Sequence, residues 1–256
     1  MGVTTELSDG IAEVVMDTPP VNALPVAGWF DVARQVTEAG QRKDVGAVIL
    51  RAEGKGFNAG VDIKEMQNTE GFDVLVGVNR GCHAAFKAIY ECEVPVVSAV
   101  NGYCLGGGIG FVGCSDVIVA SDDATFAIPE IDRGALGVAT HLTRLVPVLK
   151  ARAMYFTGST ATAQELHAFG SVWKVVPRAE LRAAAIEVAK QIAAKDTRVM
   201  RMAKEAFNGT DLWDVNRSYR YEQGFTFELN LLGVADEHRD DFMEKGARGG
   251  AAPEKI

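Results

Sequence analysis

The chain has 256 residues, 48% of them hydrophobic, and a net charge of −8. That is enough apolar material for one large core with an appended helical region, and the acidic balance argues against a general nucleic-acid surface. No apolar run reaches transmembrane length, and no basic stretch leads into an apolar one near the start, so no membrane partner is expected and the expected location is cytoplasmic. Cys82, Cys92, Cys104 and Cys114 lack metal-ligand spacing; they read as free, mostly buried thiols, and no metal site is expected.

In chain order, Ile11 to Met16 is the first strand candidate and Ala27 to Gly40 carries helix-period apolar residues. Ala47 to Arg51 is short and apolar, as a buried strand is. A small-residue turn follows at Gly56-Phe57-Asn58-Ala59-Gly60-Val61-Asp62, where Asp62 has the spacing of a cap for a helix starting at Ile63. Asn79 to Cys92 reads as helix and Val94 to Val100 as strand. The Gly106-Gly107-Gly108 turn comes next, then strand candidates at Val117 to Ala120 and Thr125 to Ala127. Alternation of this kind predicts an α/β fold of mostly parallel strands with helices packed on them. From Thr143 onward the chain reads as largely helical, with Leu181 to Ala194, Asp196 to Phe207 and Asp211 to Leu232 as examples. The last of these carries Trp213, Tyr219, Tyr221, Phe225 and Phe227, an aromatic face expected to pack on the core or on another subunit. The Gly/Ala/Pro-rich end, Gly246 to Ile256, is expected to fray.

The two glycine turns carry the chemistry. Bare backbone lets a substrate sit directly against peptide N–H groups, and a helix opening at Gly107 offers its unpaired first-turn donors to an oxyanion. Two strand ends, each followed by a glycine turn and a helix start, can offer one N–H each to the same oxygen. That arrangement is an oxyanion hole.

The pair of turns, in this order, resembles the crotonase (enoyl-CoA hydratase/isomerase) superfamily. The resemblance covers nearly the whole chain: Asp17 to Leu24 with its Pro turn and Asn-Ala-Leu, Ala59 to Asp62, Asn101 to Gly108, Ser115-Asp116 and Pro129-Glu130. It implies a crotonase-like ββα spiral core over residues 1–195 and a C-terminal helical trimerisation region over 196–256. It also implies a coenzyme A thioester as substrate, with no permanently bound cofactor, and a homotrimer or dimer of trimers. Carried over residue by residue, it places the oxyanion donors at the N–H of Val61 and Gly107. Ala59, Val61, Asp62, Ile63 and Lys64 would lie along the CoA arm, with tail contacts from Phe242 and Lys245.

Hydratases flank their water with two carboxylates. Glu130 matches the second, but the position of the first is Gly110, and no acid stands at Ile109 or Phe111. Arg133, Thr140 and His141 are new polar groups near the expected acyl pocket. Together with stretches such as Ala139-Thr140-His141-Leu142 and Tyr221 to Leu231, the Gly110 departure is similar to the actinobacterial branch that hydrolytically opens a ring of the steroid C/D-ring fragment carried as a CoA thioester. The resemblance therefore implies hydrolytic C–C ring opening of a bicyclic β-keto acyl-CoA in steroid (cholesterol) degradation. Glu130 is the expected water-activating base and His141 the second choice, and loss of the other glutamate is expected to make room for a fused bicycle beside Gly110. An enoyl-CoA isomerase or hydratase, and a non-catalytic acyl-CoA-binding homologue, are the alternatives.

Overall fold

The structure is a computed structural model that describes residues 2–69, 71–211, 215–234, 236 and 240. In chain order the first half runs β1 (Gly2–Ser8), β2 (Ile11–Asp17), α1 (Val26–Gln41), β3 (Ala47–Ala52), α2 (Ile63–Gln67), α3 (Asp73–Tyr90), β4 (Val96–Val100), β5 (Tyr103–Leu105), α4 (Gly107–Cys114), β6 (Val117–Ser121) and β7 (Thr125–Ala127). A 3₁₀ helix, Pro129–Arg133, leads into α5 (Ala139–Leu145), α6 (Val148–Thr157), β8 (Ala161–Thr162), α7 (Ala163–Ala168), β9 (Lys174–Val176), α8 (Leu181–Ala193), α9 (Thr197–Thr210) and α10 (Val215–Leu231).

The main sheet has the order β1-β2-β3-β4-β6-β9, antiparallel between β1 and β2 and parallel elsewhere. A smaller sheet, β5-β7-β8, turns away from it. Strands β3 and β4 are apolar but for Arg51 and Ser98, because helices cover both faces. Their period-two pleat deals Val48, Leu50, Val96 and Val100 to the cluster around Trp29, and Ala47, Ile49, Val97 and Ala99 to the cluster under α8. On α1, Trp29, Val32, Val36 and Ala39 are buried at helical spacing against the first cluster. Glycine lets α1 and α3 approach closely, since a Cβ on Gly81 would stand 2.8 Å from Trp29 Cβ.

The strands expected from Ile11 to Ala127 are all present, with small shifts. β4 starts at Val96 rather than Val94, after Pro95, which has no N–H to give to a ladder. Helix α3 begins at Asp73, six residues before the expected start at Asn79, so its first turns reach the site described below. The segment read as largely helical also contains β8 and β9, and β9 forms the edge of the main sheet. Helix α9 falls where Asp196 to Phe207 was expected to be helical, with Asp196 as its cap, and is tied to the core: Lys204 Nζ lies 2.5 Å from Asp116 Oδ2, which also accepts the Val96 N–H at 2.7 Å.

Candidate active site

The first glycine turn is held from beneath by Asn58, which is fully buried. Its Nδ2 donates to Asn22 O at 2.6 Å, its Oδ1 accepts the Gly60 N–H at 2.8 Å, and its carbonyl accepts the Leu105 N–H at 2.9 Å. A parallel bridge then pairs Leu24 with Val61: Leu24 N–H donates to Gly60 O at 2.9 Å and Asp62 N–H to Leu24 O at 3.0 Å. Because the flanking residues make those bonds, the N–H of Val61 itself is turned to the opposite side. Asp62 caps α2, its Oδ1 accepting from Lys64 N at 2.9 Å and from Glu65 N at 3.4 Å.

The second turn meets the first. Gly106 sits at φ +54°, a left-handed conformation suited to glycine, and Gly107 opens α4, so the Gly107 N–H has no intrahelical acceptor. A Cβ on Gly60 would lie 3.5 Å from Gly107 N. The two turns are therefore in contact, and Val61 and Gly107 line one cleft. Trp29 backs the second turn: any Cβ on Gly107 would run into its Cη2, and its Nε1 donates to Leu24 O at 3.0 Å. One indole thus braces both turns.

Glu130 enters the same cleft from the 3₁₀ helix Pro129–Arg133, which follows β7. Its carboxylate lies against bare Gly106, where a Cβ would collide with Oε1. Oε2 is buried with no hydrogen-bond partner among the described residues. Burial pushes this carboxyl up to about 7, with Arg133 opposing the shift and Glu222 adding to it. The cleft, with a cavity volume of about 120 Å³, is walled by apolar side chains such as Ile63, Met66, Leu75 and Val78.

The far wall comes from the 134–138 loop and α10. Tyr219, Gln223, Thr226 and Asn230 line the cleft at helical spacing. Thr226 Oγ1 donates to Leu136 O at 2.7 Å. Glu222 accepts the Ala139 N–H at 3.0 Å and the Tyr155 hydroxyl at 2.9 Å. Between these ties Val138 sits at φ +57°, a strained conformation for a β-branched residue.

Ala59, Val61 and Ile63 line the cleft together with Gly107 and Glu130. Asp62 and Lys64 flank them on the capped turn, Lys64 exposed to solvent. Phe242 and Lys245 lie outside the described residues. His141 is fully buried, its ring 4.9 Å from that of Phe86 and 5.3 Å from that of Tyr219, and it is not part of the cleft lining. Burial pushes its imidazole down to about 3, and neither ring nitrogen has a hydrogen-bond partner among the described residues. The space beside Gly110 is not open to a substrate, contrary to the expectation above: a Cβ there would enter the Phe86 ring. Cys92 and Cys104 stay in the core, and the thiol that reaches the cleft is Cys82, pushed up by burial. The sequence reading gives Trp29, Cys82 and Glu222 no part in the site. The polar stripe Gln223-Thr226-Asn230 on an aromatic helix is the sign in the sequence that α10 lines the cleft.

Two glycine turns that meet in one apolar cleft, beside a carboxyl that burial pushes up to about 7, suit chemistry through a thioester enolate. The enoyl-CoA hydratase/isomerase family matches residues 6–246, and the chain belongs to that family. It is 63% identical over 247 residues, 96% of either chain, to a Rhodococcus jostii "(7aS)-7a-methyl-1,5-dioxo-2,3,5,6,7,7a-hexahydro-1H-indene-carboxyl-CoA hydrolase". A Mycobacterium tuberculosis protein of the same name is 64% identical over 94% of this chain and 98% of that one. The fold superposes on an enoyl-CoA hydratase/isomerase from Xanthobacter autotrophicus Py2 with a TM-score of 0.86 at 25% identity, over 98% of this chain and 94% of that one.

Proposed function

We propose that this protein hydrolyses a bicyclic keto acyl-CoA of steroid degradation, opening a ring by C–C cleavage. The observation that carries the reading is that Glu130 is the single acid among the described residues that line the cleft: it stands beside Val61 and Gly107, while Phe86 fills the place a second carboxylate would need. The two hydrolases at 63% and 64% identity support the substrate class.

The thioester carbonyl binds to the N–H of Val61 and Gly107. Glu130, ionised, takes a proton from water, and the oxygen adds to the ring ketone. The tetrahedral adduct re-forms its C=O as the ring C–C bond breaks, and the bonding pair flows into the thioester enolate. The proton held by Glu130 then returns to carbon. One water is consumed and the ketone carbon leaves as a carboxylate. A single carboxyl near neutrality serves both proton steps. His141 is the second candidate base, and replacing it separates the two. Ala59, Val61, Asp62, Ile63 and Lys64 receive the CoA arm, with Phe242 and Lys245 as tail contacts.

The assembly is a homotrimer or dimer of trimers, supported by large apolar side chains left exposed on the second half, such as Phe156, Tyr221 and Leu149; sedimentation velocity tests it. The location is the cytoplasm; among the described residues no helix is long and apolar enough to cross a membrane.

Incubation with the bicyclic keto acyl-CoA tests the function by product mass. Gain of one water with loss of the ring is expected. An unchanged mass with a moved double bond would instead support the isomerase reading, which also needs only one base.

A further inference from the structure

We infer that Arg133 is a second oxyanion site, which stabilises the negative charge formed on the ring ketone and then holds the new carboxylate. This deepens, and rests on, the ring-opening reading. Hydrolysis of a ring ketone develops charge at two separate oxygens. The Val61 and Gly107 donors serve the thioester oxygen. They sit together at the Gly60 and Gly106 turns, so a ketone elsewhere on a fused ring needs another electrophile. Arg133 is the only cationic side chain among the described residues that line the cleft.

Its placement follows from the local backbone. Glu130 and Arg133 are three residues apart in the 3₁₀ helix Pro129–Arg133, and residues at i and i+3 eclipse in such a helix. They therefore share a face, and both line the cleft. Glu130 lies against Gly106, beside the Gly107 donor, and Arg133 follows one turn further along. Thioester oxygen, water and ketone oxygen can thus be met in sequence by the two N–H groups, the carboxylate and the guanidinium. Burial also pulls the Arg133 guanidinium below its ordinary range, a sign that it has shed part of its hydration. A guanidinium in a poorly hydrated site favours a carboxylate and can hold it by two parallel bonds.

The chemistry balances without a further reactant. Arg133 donates hydrogen bonds to the alkoxide formed when water adds to the ketone. As the ring C–C bond breaks, the same oxygen becomes part of the carboxylic acid, whose proton passes to solvent, and the carboxylate stays on the guanidinium until release.

The test uses wild type, Arg133→Gln and Arg133→Lys, with three CoA thioesters: the bicyclic keto substrate, a bicyclic analogue without the ring ketone, and a ring-opened analogue ending in a carboxylate. Ring opening by wild type checks the parent reading separately. Arg133→Gln is expected to open the ring ~10²-fold more slowly, by the scale of one lost oxyanion donor. It should bind the carboxylate analogue at least tenfold more weakly yet bind the ketone-free analogue as wild type does. Arg133→Lys should lie between the two. Ring opening within threefold of wild type, or equal weakening toward both analogues, overturns the assignment. Should Arg133→Gln not fold, Arg133→Lys decides: a loss confined to the carboxylate analogue upholds the proposal, and unchanged preference overturns it.

Discussion

The oxyanion side of the cleft and its acyl side differ in what holds them. The first is two turns at the ends of buried parallel strands, locked by Asn58, by the Leu24–Val61 bridge and by the Trp29 indole. The groups it brings to the proposed reaction are backbone N–H donors, placed by the main chain itself. The second is a short 3₁₀ helix and the 134–138 loop, tied to α10 by Glu222 and Thr226 and strained at Val138. The groups it brings to the proposed reaction are side chains, Glu130 and Arg133. In the proposed reaction, chemistry common to CoA thioesters thus rests on rigid backbone, and chemistry particular to one acyl group on replaceable side chains held by tertiary contacts.

The largest effect that tests this division is expected at Glu130. Glu130→Gln should lower ring opening ~10²–10⁴-fold with little change in CoA-ester affinity, read by single-turnover rates and equilibrium binding. Near-normal ring opening by Glu130→Gln, with loss in His141→Ala, would pass the base to His141. In wild type the rate should rise with pH through about 7 as this carboxyl ionises.

The same carboxyl makes a stability prediction of opposite sign. Its native pKa is raised from 4.5 to about 7, so between those values the native state keeps a proton that the unfolded chain has lost. Stability from this group is therefore full below about 4.5 and falls as pH rises through 7. Glu130→Gln should melt higher than wild type at pH 8, and the gap should close in acid. A variant that gains nothing at pH 8 would place Glu130 in a wetter setting.

On the backbone side, Gly107→Pro removes one donor and should cost ~10²–10³-fold in rate. Preserved turnover in the folded variant would remove Gly107 from the site. A carboxylate cannot simply be restored at the hydratase position. Gly110→Glu should fail to give crotonoyl-CoA hydration and should destabilise by ~1–3 kcal/mol through overpacking against Phe86. Adding Phe86→Ala should relieve part of that strain, which thermal melts of the single and double variants can read.

The smallest change is expected on the acyl side's supports. Glu222→Gln keeps the shape but weakens the hold on Ala139 N–H and Tyr155, charge-assisted bonds each worth ~1.5–3 kcal/mol at most. KM for the bicyclic substrate should rise a few-fold while affinity for CoA itself stays put. Equal loss toward both would mean that the two sides of the cleft are not independent.

The sequence by itself determined the local elements and the two glycine turns. Short apolar runs bounded by glycine and proline read as the parallel strands they are, and Asp62 caps α2 by its spacing alone. Those signals lie within a few residues of each other, which is why they survive without the fold. What the tertiary structure decided lies between distant segments. It placed Phe86 of α3 in the space beside Gly110, enclosed His141 between Phe86 and Tyr219, and brought Cys82 rather than Cys92 or Cys104 to the cleft. It also turned α10 so that Tyr219 and Gln223 line the site, while Tyr221 points to solvent. A vacant position in a motif says only that a side chain is missing. Which atoms fill its place is settled by close packing, because an interior at crystal-like density leaves no gap for a neighbouring ring to ignore.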